Sequence, residues 1–326
     1  MPTHRQRLEN CLANEKPDRT PVALWRHFPV DDQSPVGLAR ATLAFQEMFD
    51  FDLVKVSPAS SFCIKDWGAT DEWRGASEGT REYTNRVIQN PEDWESLPVL
   101  DPHKGHLGAQ LECLRILVKE FEPHTPLIQT IFNPLSQAKN LVGKGNLLAH
   151  LRQYPDALHA GLKTICESTR NYIKAVSECG VSGVFFAVQH AQYSLLNESE
   201  FEAFGKFYDL EALEPASTLW LNMLHLHGND VMFQQVADYP VQILNWHDRD
   251  AFPTLSQGKV RFPGVVCGGL QRQKTIVLGT PEKVQQEAHD AIQATLGERF
   301  ILGAGCVVPI IAPYGNILAA RQSVED

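Results

Sequence analysis

The sequence predicts an α/β protein that forms a single (β/α)8 TIM barrel across residues 1–326, with a long excursion after the second strand. Eight apolar runs of strand length alternate with segments of helical periodicity, which is typical of a barrel of parallel strands. No linker rich in Pro, Gly or Ser separates two halves of the chain. Polar side chains able to do chemistry follow the ends of these runs, where barrel enzymes have their active sites.

The first half of the chain contains four of the predicted strands. They cover residues 20–25, 53–57, 126–132 and 183–188, and the predicted helices cover residues 3–13, 36–48, 107–120, 135–150 and 155–179. Thr3 is the predicted N-cap of the first helix, and Gly180 closes the last. Residues 59–105 are irregular and rich in Trp, Gly, Pro and charge. We expect them to pass over the barrel mouth, with one short helix from Pro91.

The second half contains the other four predicted strands. They cover residues 223–227, 241–246, 265–269 and 300–305, and the predicted helices cover residues 198–219, 231–237 and 281–296, with a last helix from Pro313. Pro281 supports its helix because proline is favoured at the first helical position. The alternation of these segments with the strands completes the pattern of a (β/α)8 barrel.

Composition and charge exclude several classes of protein. The 326 residues are 43% hydrophobic and 21% charged, as in globular proteins. The net charge of −10 and the lack of Lys/Arg runs argue against binding to nucleic acid. The apolar runs are too short to span a membrane, and the first nine residues lack the apolar core of a signal peptide. The seven cysteines are scattered without a CxxC pair, so we expect a cytoplasmic protein with reduced thiols. The oligomeric state stays open, with a homodimer among the options.

Two histidines end the fifth predicted strand, and a cysteine ends the eighth. His225 and His227 are two residues apart, so in a strand both side chains point to the same side of the sheet. If Cys306 reaches the same mouth, two imidazoles and a thiolate form a Zn²⁺ ligand set with an open fourth position, as in catalytic zinc sites. The alternative is two hydrogen-bonded core histidines and an inert buried cysteine. The candidate acceptors for the second imidazole nitrogens are Asn229, Asp230 and Asp248.

Other candidates for catalysis follow the fourth and sixth strands. His247 and Asp248 could form a general acid–base pair or supply a further metal ligand, and the alternative is a turn in which Asp248 or Asp250 caps a helix. His190, together with Gln189, could contact the substrate. The alternative for these two residues is a polar strand end whose hydrogen bonds are satisfied within the protein.

Arg26 and His27 are the catalytic candidates after the first strand. Arg26 could bind a substrate carboxylate or phosphate, or it could form a structural ion pair. The acidic residues available for such a pair are Asp31, Asp32 and Glu47. Three polar residues at the ends of the second, third and fourth strands are candidates for cofactor binding, namely Ser57, Asn133 and Gln189.

Several segments, taken in order, resemble the uroporphyrinogen decarboxylase superfamily. They are residues 15–22 (EKPDRTPV), residues 126–135 (PLIQTIFNPL), the His-x-His-Gly-Asn segment at 225–229, the glycine pair at 268–269, and the Gly-x-Gly-Cys-x-x-Pro end at 303–309 followed by Asn316. The resemblance covers nearly the whole chain. It implies a (β/α)8 barrel with an active site at the carboxyl ends of the strands.

The chain departs from the true decarboxylases at three places. Residues 25–30 contain one arginine where the family has the two of its RQAGR segment, and Pro58 stands in place of the aspartate of the FSD motif. Cys306 takes the place of the last histidine. These departures resemble the sister branch of cobamide-dependent methyltransferases, whose His-x-Cys…Cys set binds zinc. The matching residues are His225, His227 in place of a cysteine, and Cys306.

The resemblance implies a zinc-dependent methyltransferase or demethylase in which zinc activates a small-molecule methyl acceptor. No Asp-x-His-x-x-Gly cobalamin segment occurs in the sequence, so we expect a separate corrinoid protein to carry the methyl group. One alternative is a tetrapyrrole decarboxylase of the uroporphyrinogen type that needs no cofactor. Another is a non-catalytic barrel that binds a tetrapyrrole or a protein.

Overall fold

The computed structural model describes residues 2–325, and its main feature is a barrel of eight parallel strands. The strands of the described chain are β1 (Val22–Ala23), β2 (Val54–Val56), β3 (Thr70–Glu72), β4 (Glu82–Asn85), β5 (Leu127–Phe132), β6 (Gly183–Val188), β7 (Met223–Leu226), β8 (Ile243–Trp246), β9 (Val265–Leu270) and β10 (Phe300–Ala304). All except β3 and β4 form one sheet in the order β1-β10-β9-β8-β7-β6-β5-β2. The predicted (β/α)8 barrel is therefore confirmed.

The barrel closes between β1 and β2 around Asp52. The Asp52 N–H donates to the Val22 carbonyl at 2.9 Å, and the Val22 N–H donates to Asp52 Oδ2 at 2.8 Å. The same carboxylate accepts from Arg7 at 2.6 Å and from Arg19 at 2.7 Å, and it lies 2.8 Å from His4 Nδ1. Asp52 is fully buried, and these donors compensate a charge that would otherwise be costly to bury.

Helices connect the strands and surround the sheet. Their bounds are α1 His4–Leu12, α2 Pro35–Phe49, α3 Gly105–Phe121, α4 Pro134–Val142, α5 Lys144–Gln153, α6 Pro155–Glu178, α7 Glu198–Phe201, α8 Phe207–Leu213, α9 Phe233–Val236, α10 Leu255–Arg261, α11 Pro281–Thr295 and α12 Tyr314–Gln322. α1 begins with the predicted cap, since Thr3 Oγ1 accepts from the Gln6 N–H at 3.1 Å and Gln6 Oε1 accepts from the Thr3 N–H at 2.9 Å. This reciprocal pair is a capping box.

Several segments differ from the sequence-based expectations. The predicted helix at 135–150 is split into α4 and α5 at Gly143, whose φ of 95° favours glycine. The predicted helix at 198–219 contains a π-helical turn, Glu202–Lys206, and ends in a 3₁₀ turn, Glu214–Thr218. Residues 70–85 contain an antiparallel hairpin of β3 and β4. The sequence did not indicate this hairpin because its strands are largely exposed and lack an apolar alternation.

The excursion after β2 lies against the barrel mouth, as predicted. The Ile310 N–H, beyond β10, donates to the Ser77 carbonyl at 2.8 Å. A Cβ on Gly79 would approach His27 Cβ to 2.6 Å, so the excursion packs directly on His27. Glu78 and Arg272 form an ion pair at 2.6 Å. The excursion is therefore held by contacts with the ends of β1, β9 and β10.

No helix within residues 2–325 combines the length and the apolar character needed to cross a bilayer. The seven cysteines are all free thiols, and all except Cys179 are buried.

Candidate metal centre and cleft

Four side chains that can bind a metal meet at the carboxyl ends of three strands. His225 belongs to β7 and His227 follows it, His247 follows β8, and Cys306 follows β10. One ligand atom from each side chain lies within 4.8 Å of those of the other three. Cys306 Sγ and His227 Nδ1 are 3.8 Å apart. The predicted imidazoles and thiol thus converge, and His247 joins them.

The strand register explains why these side chains meet. The parallel ladder pairs His225 with Asn245, and side chains two residues apart share one face of a strand. His227 and His247, each two residues further along, therefore extend from neighbouring strand ends at the same height. Their ring centroids are 5.0 Å apart.

Asn245 fixes the orientation of the His225 ring. Its Nδ2 donates to the carbonyls of Cys267 at 2.9 Å and Ala304 at 3.0 Å, so its Oδ1 must face the other way. This oxygen lies 2.7 Å from His225 Nδ1 and requires that nitrogen to donate a proton. The lone pair of His225 is then on Nε2. The acceptor for His225 is therefore Asn245 Oδ1. The prediction that Asn229, Asp230 or Asp248 accepts from this histidine is wrong.

Two buried ring nitrogens of the cluster have no hydrogen-bond partner among the described residues, namely Nε2 of His225 and Nε2 of His247. A buried polar atom left unpaired costs about 1–3 kcal/mol, and a metal ion would satisfy both nitrogens. Ligands around a tetrahedral Zn²⁺ lie roughly 3–4 Å from one another, slightly closer than the 4.8 Å limit of this cluster. A small contraction would therefore fit the ion.

The electrostatics of the cluster favour the forms of these residues that bind metal. Burial alone raises the pKa of the Cys306 thiol, but the neighbouring imidazoles of His225, His227 and His247 outweigh burial and bring that pKa well below its usual value. The thiolate is the form that binds a metal. Burial lowers the pKa of His225 against an opposing effect of Cys306, which favours the neutral ring that a metal ligand requires.

A buried lysine that the sequence interpretation did not single out lies across the barrel from β7. Lys55 in β2 donates from Nζ to Ser57 Oγ at 3.1 Å, and its Nζ lies 4.5 Å from the ring centroid of Phe185. Phe185 in turn stacks on His225 with centroids 5.2 Å apart. Burial lowers the pKa of Lys55 to about 7, against an opposing effect of Cys306. Lys55 could have been recognised in the sequence as a single lysine within an otherwise apolar strand.

His27 lies in the same interior, as predicted for a residue at the end of the first strand. It is buried, and its Nδ1 has no partner among the described residues. Burial, together with the charge of Lys55, lowers the pKa of His27 to about 4. Its ring is therefore neutral near pH 7, and its catalytic role stays a prediction.

A cleft of about 940 Å³ leads from the cluster to solvent. Four of the predicted site residues line it, namely Gln189, His190, His227 and His247. Gln189 Oε1 and His190 Nδ1 are buried without partners in the described part of the chain. The cleft also contains several charged side chains that the sequence interpretation did not select, among them Lys139, Lys144, Arg272 and Lys274.

Two of the predicted cofactor-binding residues are engaged in structural bonds. Asn133 is fully buried and caps α4, because its Oδ1 accepts from the Ser136 N–H at 3.1 Å while its Nδ2 donates to Asp209 at 2.8 Å. Ser57 accepts from Lys55. These bonds correct the expectation for Asn133, which acts as a helix cap, and assign Ser57 to the positioning of Lys55.

Arg26 lies on the outer side of the barrel wall. Trp25 packs edge-on against Phe185 in the interior, with centroids 5.4 Å apart, so the next side chain faces outward. The Arg26 guanidinium lies 5.5 Å from the ring centroid of Phe28, in a small cavity that Phe45 also lines. Arg26 is not among the ion pairs of residues 2–325, so the expected ion pair is corrected, while a contact of Arg26 with substrate stays a prediction.

Asp248 bonds to the backbone of β9. Both carboxylate oxygens lie 3.1 Å from the Gly269 N–H, which donates to them. Burial raises the pKa of Asp248 to about 7, although this hydrogen bond opposes the shift. The structure therefore gives Asp248 a bond that fixes the loop after β8, while a role in proton transfer with His247 stays a prediction.

A barrel with titratable side chains gathered at the carboxyl ends of its strands is the architecture of an enzyme. The sequence profile described as uroporphyrinogen decarboxylase (URO-D) matches residues 3–326. The chain therefore belongs to the uroporphyrinogen decarboxylase family, as its motifs predicted.

Among the proteins similar to this chain are two methyltransferases of Methanosarcina species. The methylcobamide:CoM methyltransferase MtbA of Methanosarcina acetivorans is 24% identical over 236 residues, which cover 71% of this chain and 67% of that protein. The methylcobamide:CoM methyltransferase MtaA of Methanosarcina barkeri is 20% identical over 306 residues, which cover 92% of this chain and 87% of that protein.

Solved structures share the fold. A methyltransferase from Methanosarcina mazei superimposes with a TM-score of 0.86 at 19% identity, over 99% of this chain and 98% of that one. A B12-independent methionine synthase from a Shewanella species superimposes with a TM-score of 0.57 at 12% identity, over 93% of this chain and 92% of that one. These similarities concern the barrel alone.

Proposed function

We propose that this chain is a zinc-dependent methyltransferase or demethylase that acts together with a corrinoid protein. The observation that carries the proposal is the convergence of His225, His227, His247 and Cys306 within 4.8 Å at the barrel mouth. The similarity to two methylcobamide:CoM methyltransferases supports methyl transfer linked to a corrinoid. The free thiols of the seven cysteines are consistent with the cytoplasmic location expected from the sequence.

The four side chains of the cluster would hold the ion. Zinc would lower the pKa of an acceptor such as a thiol and stabilise its anion. The bond between His225 Nδ1 and Asn245 Oδ1 leaves the lone pair of His225 on Nε2, and the neighbouring imidazoles lower the pKa of Cys306, which favours the thiolate. His227 and His247 also line the cleft, so an acceptor would reach the cluster on their side.

The methyl group would arrive on the corrinoid of a separate protein docked at the mouth. The corrinoid would supply the methyl group to the acceptor sulfur and would retain the electron pair of the broken Co–CH₃ bond, while the proton of the acceptor thiol would pass to solvent. The demethylase direction is the reverse of this step.

Metal analysis and a transfer assay test the proposal. Protein purified without added metal is expected to contain about one zinc per chain, and Cys306→Ala is expected to lose it. The zinc protein is expected to accelerate the demethylation of free methylcobalamin by a thiol, followed by the visible spectrum of the cobalt. Cys267→Ala is a matched control, since Cys267 is a buried thiol in β9, outside the four-residue cluster. Absence of metal from wild-type protein reconstituted with zinc would contradict the proposal.

The second candidate is decarboxylation of a tetrapyrrole, and the family match favours it. Cations lining the cleft, including Lys139 and Lys144, could meet substrate carboxylates. Release of CO₂ from uroporphyrinogen by metal-free protein would establish this activity. No release from metal-free or zinc-loaded protein would exclude it.

A further inference from the structure

Two cations on the β5 side of the cleft have no acidic partner in the described chain. Lys139 is in the last turn of α4, and Lys144 begins α5. Neither belongs to the ion pairs of residues 2–325, whereas Arg272 on the far side of the cleft is paired with Glu78 at 2.6 Å. Lys144 is exposed, but Lys139 is only partly exposed. An unpaired, half-buried ammonium group is costly unless an anion compensates its charge.

A third cation increases the positive charge at this wall. Arg86 donates to the Asn140 carbonyl at 2.8 Å. Its side chain lies next to Gly143, the residue that directly precedes Lys144. Burial, together with the charges of Arg86 and Lys144, lowers the pKa of Lys139 to about 8. The fold therefore holds like charges close together at one wall of the cleft, which is unfavourable unless an anion binds there.

His190 connects this wall with the metal centre. Its side chain is 4% exposed, lines the cleft, and has an Nδ1 without a partner among residues 2–325. Burial and the charges of Lys139, Lys144 and His227 all lower the pKa of His190, to about 3. The ring is therefore neutral near pH 7 and can donate one hydrogen bond. It lies between the lysines and the cluster along the arc of neighbouring strands β5, β6 and β7.

We propose that Lys139, Lys144 and His190 form a binding subsite for an acid group, a carboxylate, sulfonate or phosphate, on the small molecule whose reacting atom lies at the four-residue cluster. This inference rests on the proposed function, because that function places the reacting atom. The acid group could instead be carried by the corrinoid of the partner. The partly buried position of Lys139 and the burial of His190 within a cleft of about 940 Å³ favour a small molecule.

Three thiols that differ in their end group test the subsite on cobalt(II)-loaded full-length protein without any corrinoid protein. They are 3-mercaptopropionate, 2-mercaptoethanol and cysteamine, with a carboxylate, a hydroxyl and an ammonium group. The visible spectrum of the cobalt reports binding. We expect 3-mercaptopropionate to bind about tenfold more tightly than 2-mercaptoethanol, and cysteamine to bind least tightly.

Lys139→Met is expected to reduce the preference for the carboxylate thiol to less than about threefold, with the affinity for 2-mercaptoethanol unchanged. Lys274→Met is the matched control, because Lys274 is an exposed lysine on the other side of the same cleft. It removes the same charge and is expected to keep the preference. Equal binding of the three thiols by wild-type protein would overturn the subsite, as would a preference lost in Lys274→Met and kept in Lys139→Met.

A second measurement separates failure of the subsite from failure of the proposed function. If no thiol alters the cobalt spectrum, the proposed function fails, and inorganic sulfate is added to metal-free protein. The His190 ring signal in NMR, assigned with His190→Gln, is expected to shift with sulfate in wild-type and Lys274→Met protein but not in Lys139→Met. A wild-type signal that does not respond to sulfate would overturn the subsite.

Discussion

The two ends of the barrel differ in whether their buried polar groups have hydrogen-bond partners within the protein. At the amino ends of the strands, Asp52 is fully buried and is bonded to His4, Arg7, Arg19 and the Val22 N–H. At the carboxyl ends, His225 and His247 are buried with one unpaired nitrogen each among the described residues. Each end also contains a cavity of similar size, about 970 Å³ and 940 Å³ respectively.

Cavity size therefore does not distinguish the two ends of the barrel. They differ in whether their buried polar groups are hydrogen-bonded within the protein. A buried charge that is fully bonded within the protein holds the fold together, and a ligand could not replace its partners without cost. A buried nitrogen with no partner is held in place by the rest of the fold and is free to bind something else. We assign the first end to stability and the second to function.

The largest expected effect comes from Asp52→Ala. It leaves Arg7 and Arg19 partly buried without their shared carboxylate, so the free energy of unfolding in urea should fall by about 3–5 kcal/mol. Zinc affinity of the folded variant should stay within about twofold of wild type, because effects at distant sites are usually independent. Asp50→Ala, at a largely exposed carboxylate, should cost less than about 1 kcal/mol. A large loss of zinc affinity in Asp52→Ala would contradict the assignment of the two ends.

As the pH is lowered, we expect the carboxyl end of the barrel to lose its zinc first and the amino end to lose the stability contributed by Asp52 afterwards. Burial alone raises the pKa of Asp52, but its bonds to His4 and Arg19 and the charge of Arg7 lower that pKa to about 2. Because the folded pKa lies below the unfolded value of about 3.9, the carboxylate contributes stability above that value, and the contribution is lost as pH falls towards 2. The loss should amount to about 2–3 kcal/mol.

Zinc should leave before this loss begins, because its imidazole and thiolate ligands bind the ion only in their deprotonated forms, so protons compete with the ion as the pH falls. Metal content and circular dichroism measured across the same pH series should therefore show two separate transitions. A single transition in which zinc and fold are lost together below pH ~4 would contradict this order.

A smaller effect is expected from Asn245→Ala. Loss of the bond to His225 frees the ring to turn, and zinc affinity should fall about 10–100-fold in competition with a chelator. Asn316→Ala is the matched control, since Asn316 Nδ2 also bonds two backbone carbonyls, those of Ile276 and Gly279. It should lose similar stability and keep the zinc affinity. Equal zinc affinities for the two variants would show that Asn245 does not position the ligand.

The smallest effect is expected from Arg26→Met. Because its guanidinium packs on Phe28 outside the barrel wall, zinc affinity and thiol binding should stay within about twofold of wild type, and stability should change by less than about 1 kcal/mol. Calorimetric titration and urea unfolding would measure both. A tenfold loss of thiol affinity would show that Arg26 binds the substrate.

Local pattern was sufficient for most of the architecture. Strand β6 is found at the predicted residues, since Gly183–Val188 is apolar throughout and bounded by polar segments, and Thr3 was visible as a cap. The hairpin of β3 and β4 could not be predicted, because exposed strands show no apolar alternation. Strand β1 is shorter than predicted, Val22–Ala23, since only these two residues pair with β10 in the ladder.

Residue spacing in the sequence predicted part of the candidate site, and the pairing of the strands in the fold decided the rest. The two-residue spacing of His225 and His227 is enough to place both rings on one face of β7. Asn245 was hidden within an apolar strand, and only the ladder with β7 shows that it faces His225. The side of the barrel wall on which Arg26 lies could not be predicted, because a residue at a strand end can face either side, and the packing of Trp25 decides which.

The sequence by itself determined the barrel, the family and the pair of histidines, because each depends on local periodicity or on the order of short motifs. Tertiary structure alone decided that Cys306 and His247 join that pair and that Asp52 closes the other end. These contacts join residues far apart in the chain, and their distances depend on how eight strands pair around a closed sheet.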